Sequence, residues 1–164
     1  MPLPGQPHRV GDHVNTDVII PGRYLTLRDP AQLGPHCLEG LDPTFAARVN
    51  PGDILVAGRN FGSGSSREHA ILALQGAGIA AVIASSVARI FFRNAINLAL
   101  PVMVCPEAAE ALRDDLPVEV DPVSGRITQG NHTWHATPLA GEVAAILAAG
   151  GLVPHLRNTM GSER

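Results

Sequence analysis

The chain has 164 residues, a formal net charge of −3 and 45% hydrophobic residues, which suits one packed domain and excludes a disordered chain. All 12 basic residues are Arg; this removes Lys-dependent Schiff-base and phosphate-loop chemistry, and the acidic balance without a basic run argues against a nucleic-acid partner. No apolar stretch is of membrane-spanning length, the Pro-rich start lacks the pattern of a signal peptide, and two cysteines, Cys37 and Cys105, provide no disulfide framework, so the expected home is the cytoplasm.

Residues 1–9 are Pro-rich and read as irregular. Residues 10–20 read as a turn and a short apolar run, Val18, Ile19 and Ile20, closed by Pro21 and Gly22. Residues 23–36 read as loop and residues 44–49 as a short helix. The pattern then sharpens. Residues 54–57 form a buried strand, and residues 58–64 a glycine-rich loop. A helix is expected from Ser65, with Ser65 and Glu68 as a capping box and with Gly76 and Gly78 as its stop. Residues 79–84 read as a second buried strand. Ser85 and Ser86 are expected to cap a second helix through Leu98, and residues 101–104 form a third strand. Strands alternating with helices over short links predict a parallel sheet with right-handed crossovers. Residues 118–120, 126–128 and 132–134 alternate between turn signals and read as a β-meander. A helix over residues 139–149 ends at Gly150 and Gly151. The polar tail, residues 155–164, reads as irregular.

The loop from Gly58 to His69 carries the chemistry. It leaves a buried strand, passes Gly62 and Gly64, and enters a helix. Glycines permit close backbone approach, and N–H groups at a helix start favour an anion. Arg59 and Arg67 flank the loop, and Arg binds carboxylate or phosphate bidentately. A phosphate loop would need the missing Lys. A dinucleotide fingerprint would need glycine at Arg67, and a nucleophile elbow would need glycines two residues either side of a serine. Carboxylate fits these residues best. A cap without chemistry is the competing reading of Ser65.

Three ordered motifs carry a resemblance. The run from Asn60 to Ala70, Asn-Phe-Gly-Ser-Gly-Ser-Ser-Arg-Glu-His-Ala, resembles the signature of the aconitase superfamily's swivelling domain. The run from Gly11 to Gly22, with Asn15-Thr16-Asp17, resembles that domain's N-terminal motif. The run from Ala84 to Arg93 resembles its third. Order and spacing agree over nearly the whole chain, and the length is similar to that of the free-standing small subunits of isopropylmalate isomerase and homoaconitase. Ser63 departs from the pattern, standing where many isopropylmalate isomerase small subunits have Cys.

The resemblance implies an α/β fold, a swivelling β/β/α domain over residues 1–164. It implies that Ser65 is the base that removes a proton next to a substrate carboxylate, with Gly64, Ser66 and Arg67 at the substrate and Arg67 on the carboxylate. Asp17 aligns with a motif aspartate near the site. Thr26 and Leu27 lie where related chains meet the substrate's variable arm; they favour a neutral branched arm, while Arg28 keeps a homologous tricarboxylate in view and another alkylmalate such as a dimethylmalate stays compatible. His69 is expected to be structural. In this family the hydroxyl leaves from a [4Fe–4S] cluster, which needs three or four thiolates. Cys37 and Cys105 stand in unrelated contexts, and His132-x-x-His135 reads as incidental. No cofactor is therefore expected in this chain. The implied partners are a cluster-bearing large subunit, in a heterodimer or heterotetramer, and a small dicarboxylate. Anaerobic treatment of the isolated chain with iron and sulfide is expected to leave no stable cluster absorption in the visible spectrum. A stable cluster spectrum would remove the need for the large subunit.

Overall fold

The computed structural model describes residues 2–161. Four parallel strands form one sheet in the order β2 (Pro7–Arg9), β3 (Asp53–Ala57), β4 (Ile79–Ala84) and β5 (Val102–Val104). Sequence order equals spatial order. Crossovers of one hand and one direction then place the connecting helices on the same face. That face carries α1 (Thr16–Ile19), α2 (Pro30–Leu33), α3 (Phe45–Arg48), α4 (Glu68–Ala77) and α5 (Arg89–Asn97). The other face needs a different cover. It comes from α6 (Pro106–Ala111) and an antiparallel sheet ordered β1 (Leu3–Gly5), β6 (Val118–Asp121), β7 (Arg126–Gln129) and β8 (His132–His135). Two more helices, α7 (Glu142–Ala149) and α8 (Leu152–Gly161), pack near α5.

The period-two side-chain alternation of strands explains the two cores. Leu55, Ala57, Val82, Ala84 and Val102 meet the helices, whereas Ile54, Val56, Ala81, Ile83 and Met103 meet the second sheet. Both faces are covered, so residues 54–57 of β3 and all of β4 are continuous apolar runs. Helix α4 approaches α2 so closely that a Cβ on Gly76 would lie 1.9 Å from the Pro30 carbonyl oxygen. Gly76 is thus a packing glycine inside the helix, and only Gly78, at φ +111°, ends it.

Several expectations change. Residues 2–9 are not irregular: Pro4 and Pro7 sit in β1 and β2, each at the edge of its sheet. An edge strand tolerates the missing N–H of proline. Residues 155–161 are helical within α8, and residues 162–164 of the expected tail lie outside the described residues. Thr16–Ile19 is a helical turn capped by the Asn15 side chain, and the stretch expected as loop holds α2 and two 3₁₀ turns. Helix α6 had no expectation. The parallel sheet, the meander and the helix before Gly150 are as read, the helix starting at Glu142.

A buried polar knot ties the N-terminal strands to β3. The Asp53 carboxylate accepts the Gln6 N–H at 3.1 Å and the Asn50 N–H at 2.9 Å, and it meets His8 Nε2 at 2.7 Å. Burial pushes the Asp53 carboxyl up, but these bonds outweigh it and hold the group below the usual aspartate range. A depressed carboxyl contributes stability above its unfolded pKa and loses it as pH falls through the folded value. Asp53→Asn is therefore expected to be less stable than wild type at pH 7. That gap narrows as pH drops below about 4, the ordinary aspartate range. Urea unfolding of both proteins at pH 7, 4 and 3 measures it, and a gap constant with pH would contradict the assignment.

Candidate active site at the carboxyl edge of the parallel sheet

The loops that follow β2, β3 and β4 emerge at one edge of the sheet and keep pairing after the strands end. Phe61 donates its N–H to the Ser86 carbonyl at 3.1 Å and accepts the Ala88 N–H at 2.9 Å. On its other side the same loop donates from Gly62 to the Val14 carbonyl at 2.8 Å and accepts from His13 at Arg59 and from Thr16 at Ser63. Phe61 is fully buried and meets Phe91 edge to face at 5.1 Å. A Cβ on Gly62, at φ +78°, would lie 2.2 Å from the Phe91 ring. Only glycine lets the chain leave this point.

From Gly62 the chain passes Gly64, at φ +94°, and delivers Ser65, Ser66 and Arg67. Here the structure corrects the capping-box reading. Helix α4 starts at Glu68, with extended Arg67 as its N-cap and no side-chain cap. Arg67 precedes the first turn and does not burden the helix. The Ser65 carbonyl is held by the buried Thr16 hydroxyl at 2.9 Å. Among the described residues, the N–H groups of Gly64, Ser65 and Ser66 donate to no other backbone group. The Ser66 hydroxyl accepts from Asn94 of α5 at 3.0 Å. A second expected cap also changes: α5 starts at Arg89, and the Ser86 hydroxyl instead accepts the Asn60 N–H at 2.8 Å.

Arg67 is well packed, with its side chain 19% exposed, and its Nη1 meets both Asp17 at 2.5 Å and the Ile20 carbonyl at 3.4 Å. The Asp17 side chain is 63% exposed. Arg67 Nε and Nη2 have no partner among the described residues. Gly64, Ser65, Ser66, Arg67, Thr16, Arg89 and Asn94 share the lining of a cleft of about 210 Å³. An exposed hydroxyl, unpaired N–H donors and a guanidinium with one edge spare form an anion cradle. The His69 ring lies just beyond, its Nε2 buried without a partner among the described residues.

Three expected neighbours are elsewhere. Arg59 pairs with Asp12 at 3.4 Å and lines a separate cleft of about 630 Å³ with Ser85, Ser86 and Glu110. Thr26 is exposed and Leu27 half-buried against the helical core; neither lines the smaller cleft. Their segment is braced through Tyr24, whose hydroxyl donates to Glu39 at 2.6 Å and whose ring stacks on His36 at 4.0 Å. Thr16, Asn94 and Arg89 line the cleft without having been singled out, although all three lie within or beside the quoted motifs. The donor set does not fit a [4Fe–4S] cluster. Cys37 and Cys105 are buried on opposite faces of the parallel sheet, and burial pushes the Cys37 thiol up to about 12. No group of three His, Cys, Asp or Glu side chains among the described residues is placed to hold a metal ion. No helix among them is long and apolar enough to cross a membrane.

Comparison with known proteins supports the fold. Residues 32–107 match the Aconitase C-terminal domain family. The chain is similar to the 3-isopropylmalate dehydratase small subunit of Moorella thermoacetica, 48% identical over 95% of each chain. It is also similar to the 2,3-dimethylmalate dehydratase small subunit of Eubacterium barkeri, 46% identical over 97% of this chain and 99% of that one. The crystal structure of 3-isopropylmalate dehydratase from Methanocaldococcus jannaschii is 44% identical, covers 99% of both chains and gives a TM-score of 0.91.

Since Ser65 is exposed and caps no helix, Ser65→Ala is expected to leave stability within about 0.5 kcal/mol of wild type. A capping serine would cost about 1 kcal/mol. Urea unfolding at pH 7 separates the two values.

Proposed function

The chain belongs to the small-subunit family of 3-isopropylmalate dehydratase, and from that premise we propose that Ser65 and Arg67 form this chain's half of a hydro-lyase active site. With a cluster-bearing large subunit, the chain interconverts 2-isopropylmalate and 3-isopropylmalate by dehydration and rehydration in leucine biosynthesis, in the cytoplasm. The observation that carries this reading is one cleft in which the Ser65–Ser66–Arg67 turn presents a hydroxyl, unpaired N–H groups and a partly free guanidinium.

Each group has a task. One substrate carboxylate lies across the free Nε–Nη2 edge of Arg67, while Asp17 and the Ile20 carbonyl keep Nη1 in place. A planar fork makes two parallel bonds, which orients the acidic C–H as well as binding the anion. Ser65 removes the proton next to that carboxylate. A serine hydroxyl is a weak base, so its alkoxide needs donors and positive charge; the loop N–H groups and Arg67 supply both. Ser66 and Gly64 contact the same substrate end. Departure of the hydroxyl is left to the partner, because the described residues bring together no donor set for an iron cluster. Thr26 and Leu27 lie outside this cleft and face the substrate's neutral arm once the partner completes the site. The dimethylmalate dehydratase relative, at 46% identity, supports a second reading in which the arm is smaller.

Reconstitution with the cognate large subunit tests this. Ser65→Ala is expected to lower kcat by at least about 10²-fold, the scale of a lost general base. Arg67→Lys is expected to fail nearly as badly as Arg67→Ala, since an ammonium does not reproduce the fork. Isopropylmalate, 2,3-dimethylmalate and homocitrate are compared by kcat/KM, with isopropylmalate preferred. A Ser65→Ala enzyme near the wild-type rate would defeat the assignment.

A further inference from the structure

Resting on that assignment, we infer that Thr16 is a positioning residue, acting through Ser65. Its side chain is buried, with 2% of the residue exposed, at the start of the four-residue helix α1. Both of its donors grip the catalytic loop. The N–H bonds the Ser63 carbonyl at 2.9 Å and the hydroxyl bonds the Ser65 carbonyl at 2.9 Å, one residue either side of Gly64. The left-handed Gly64 between them adopts its conformation readily but is not held by it. Among the described residues nothing else hydrogen-bonds the backbone of Ser65 or Ser66.

One bond therefore orients two catalytic features. The peptide unit joining Ser65 to Ser66 is planar and trans, so fixing its carbonyl also fixes the Ser66 N–H, which points the opposite way. Aiming the carbonyl at Thr16 sets the direction of the Ser65 side chain on one flank and of an N–H donor on the other. The adjacent residue of α1, Asp17, meets Arg67 at 2.5 Å. Two consecutive residues of one helical turn thus align the base and the carboxylate anchor. Without the hydroxyl, the Ser65–Ser66 peptide is free to rotate between its glycine and the helix start, and the near-attack geometry is lost while Arg67 still binds.

The test uses the complex with the large subunit and compares Thr16→Val, which keeps shape and deletes the donor, with Thr16→Ser, which keeps the donor. Thr16→Val is expected to lower kcat by about tenfold to a hundredfold, the effect of misplacing a reacting group. KM for isopropylmalate is expected to stay within about threefold of wild type, because the carboxylate anchor is untouched. Thr16→Ser is expected to recover most of kcat. Wild-type kcat per assembled complex in Thr16→Val, or Thr16→Ser as slow as Thr16→Val, overturns the inference. If Thr16→Val does not assemble, Thr16→Ala removes the same donor by truncation and carries the same expectation. Ser65→Ala runs alongside: a fast Ser65→Ala enzyme refutes the assignment of the base, whereas a slow one beside a normal Thr16→Val enzyme refutes only the role of Thr16.

Discussion

Everything at the site depends on Phe61 being fixed beyond the end of β3. Its N–H and carbonyl continue the parallel ladder into the Ser86–Ala88 loop, and its ring is buried against Phe91. Burying such a ring contributes about 1.5–3 kcal/mol, enough to pin one point of a loop that is otherwise mostly glycine and serine. The next residue carries no side chain because the Phe91 ring occupies the space. The chain must therefore turn toward Val14 and Thr16, and Ser65 follows at a set distance from that turn. A loop rich in small residues is held by a large aromatic pair, whose Phe91 member also lines the cleft.

The layered architecture explains why the three motifs meet. A parallel sheet with sequential strand order puts the loops after β2, β3 and β4 side by side at the carboxyl edge, the place where open α/β sheets hold ligands. Motifs tens of residues apart in sequence become adjacent there. The same topology separates the cysteines: Cys37 belongs to the helical core and Cys105 to the core under the antiparallel sheet. Under the proposed function this subunit supplies a base and an anion site and its partner the iron, and the separation of the two thiols fits that division.

The charge arrangement has its own logic. Arg67 is packed against the chain and paired on one nitrogen, while Asp17 remains largely open to water. An exposed carboxylate is well hydrated and costs little to hold, so it steadies the guanidinium without consuming its free edge. Misreadings in the sequence have physical causes of the same kind. Ser65 and Glu68 have capping-box spacing, yet the pull of Thr16 on the Ser65 carbonyl keeps that residue out of the helix. Ser86 stands before an apolar periodic run, yet its hydroxyl serves Asn60 across the sheet edge. In each case a long-range bond outcompeted a local one.

The sequence by itself determined the buried strands β3 and β4, the meander, the parallel sheet and the motif that names the family, because those signals are local: continuous apolar runs, alternation, turn residues and an ordered signature. It also singled out Ser65 and Arg67 as the residues of interest. Tertiary structure alone decided that Pro4 and Pro7 lie in edge strands, that Arg59 turns away to Asp12, that α4 begins at Glu68, and that Thr16 and Asn94 reach Ser65 and Ser66. These outcomes rest on hydrogen bonds between residues from 28 to 49 positions apart for the loop contacts, and on which strands happen to be edges. No window of neighbouring residues contains either, since both exist only once the sheet has brought its loops together.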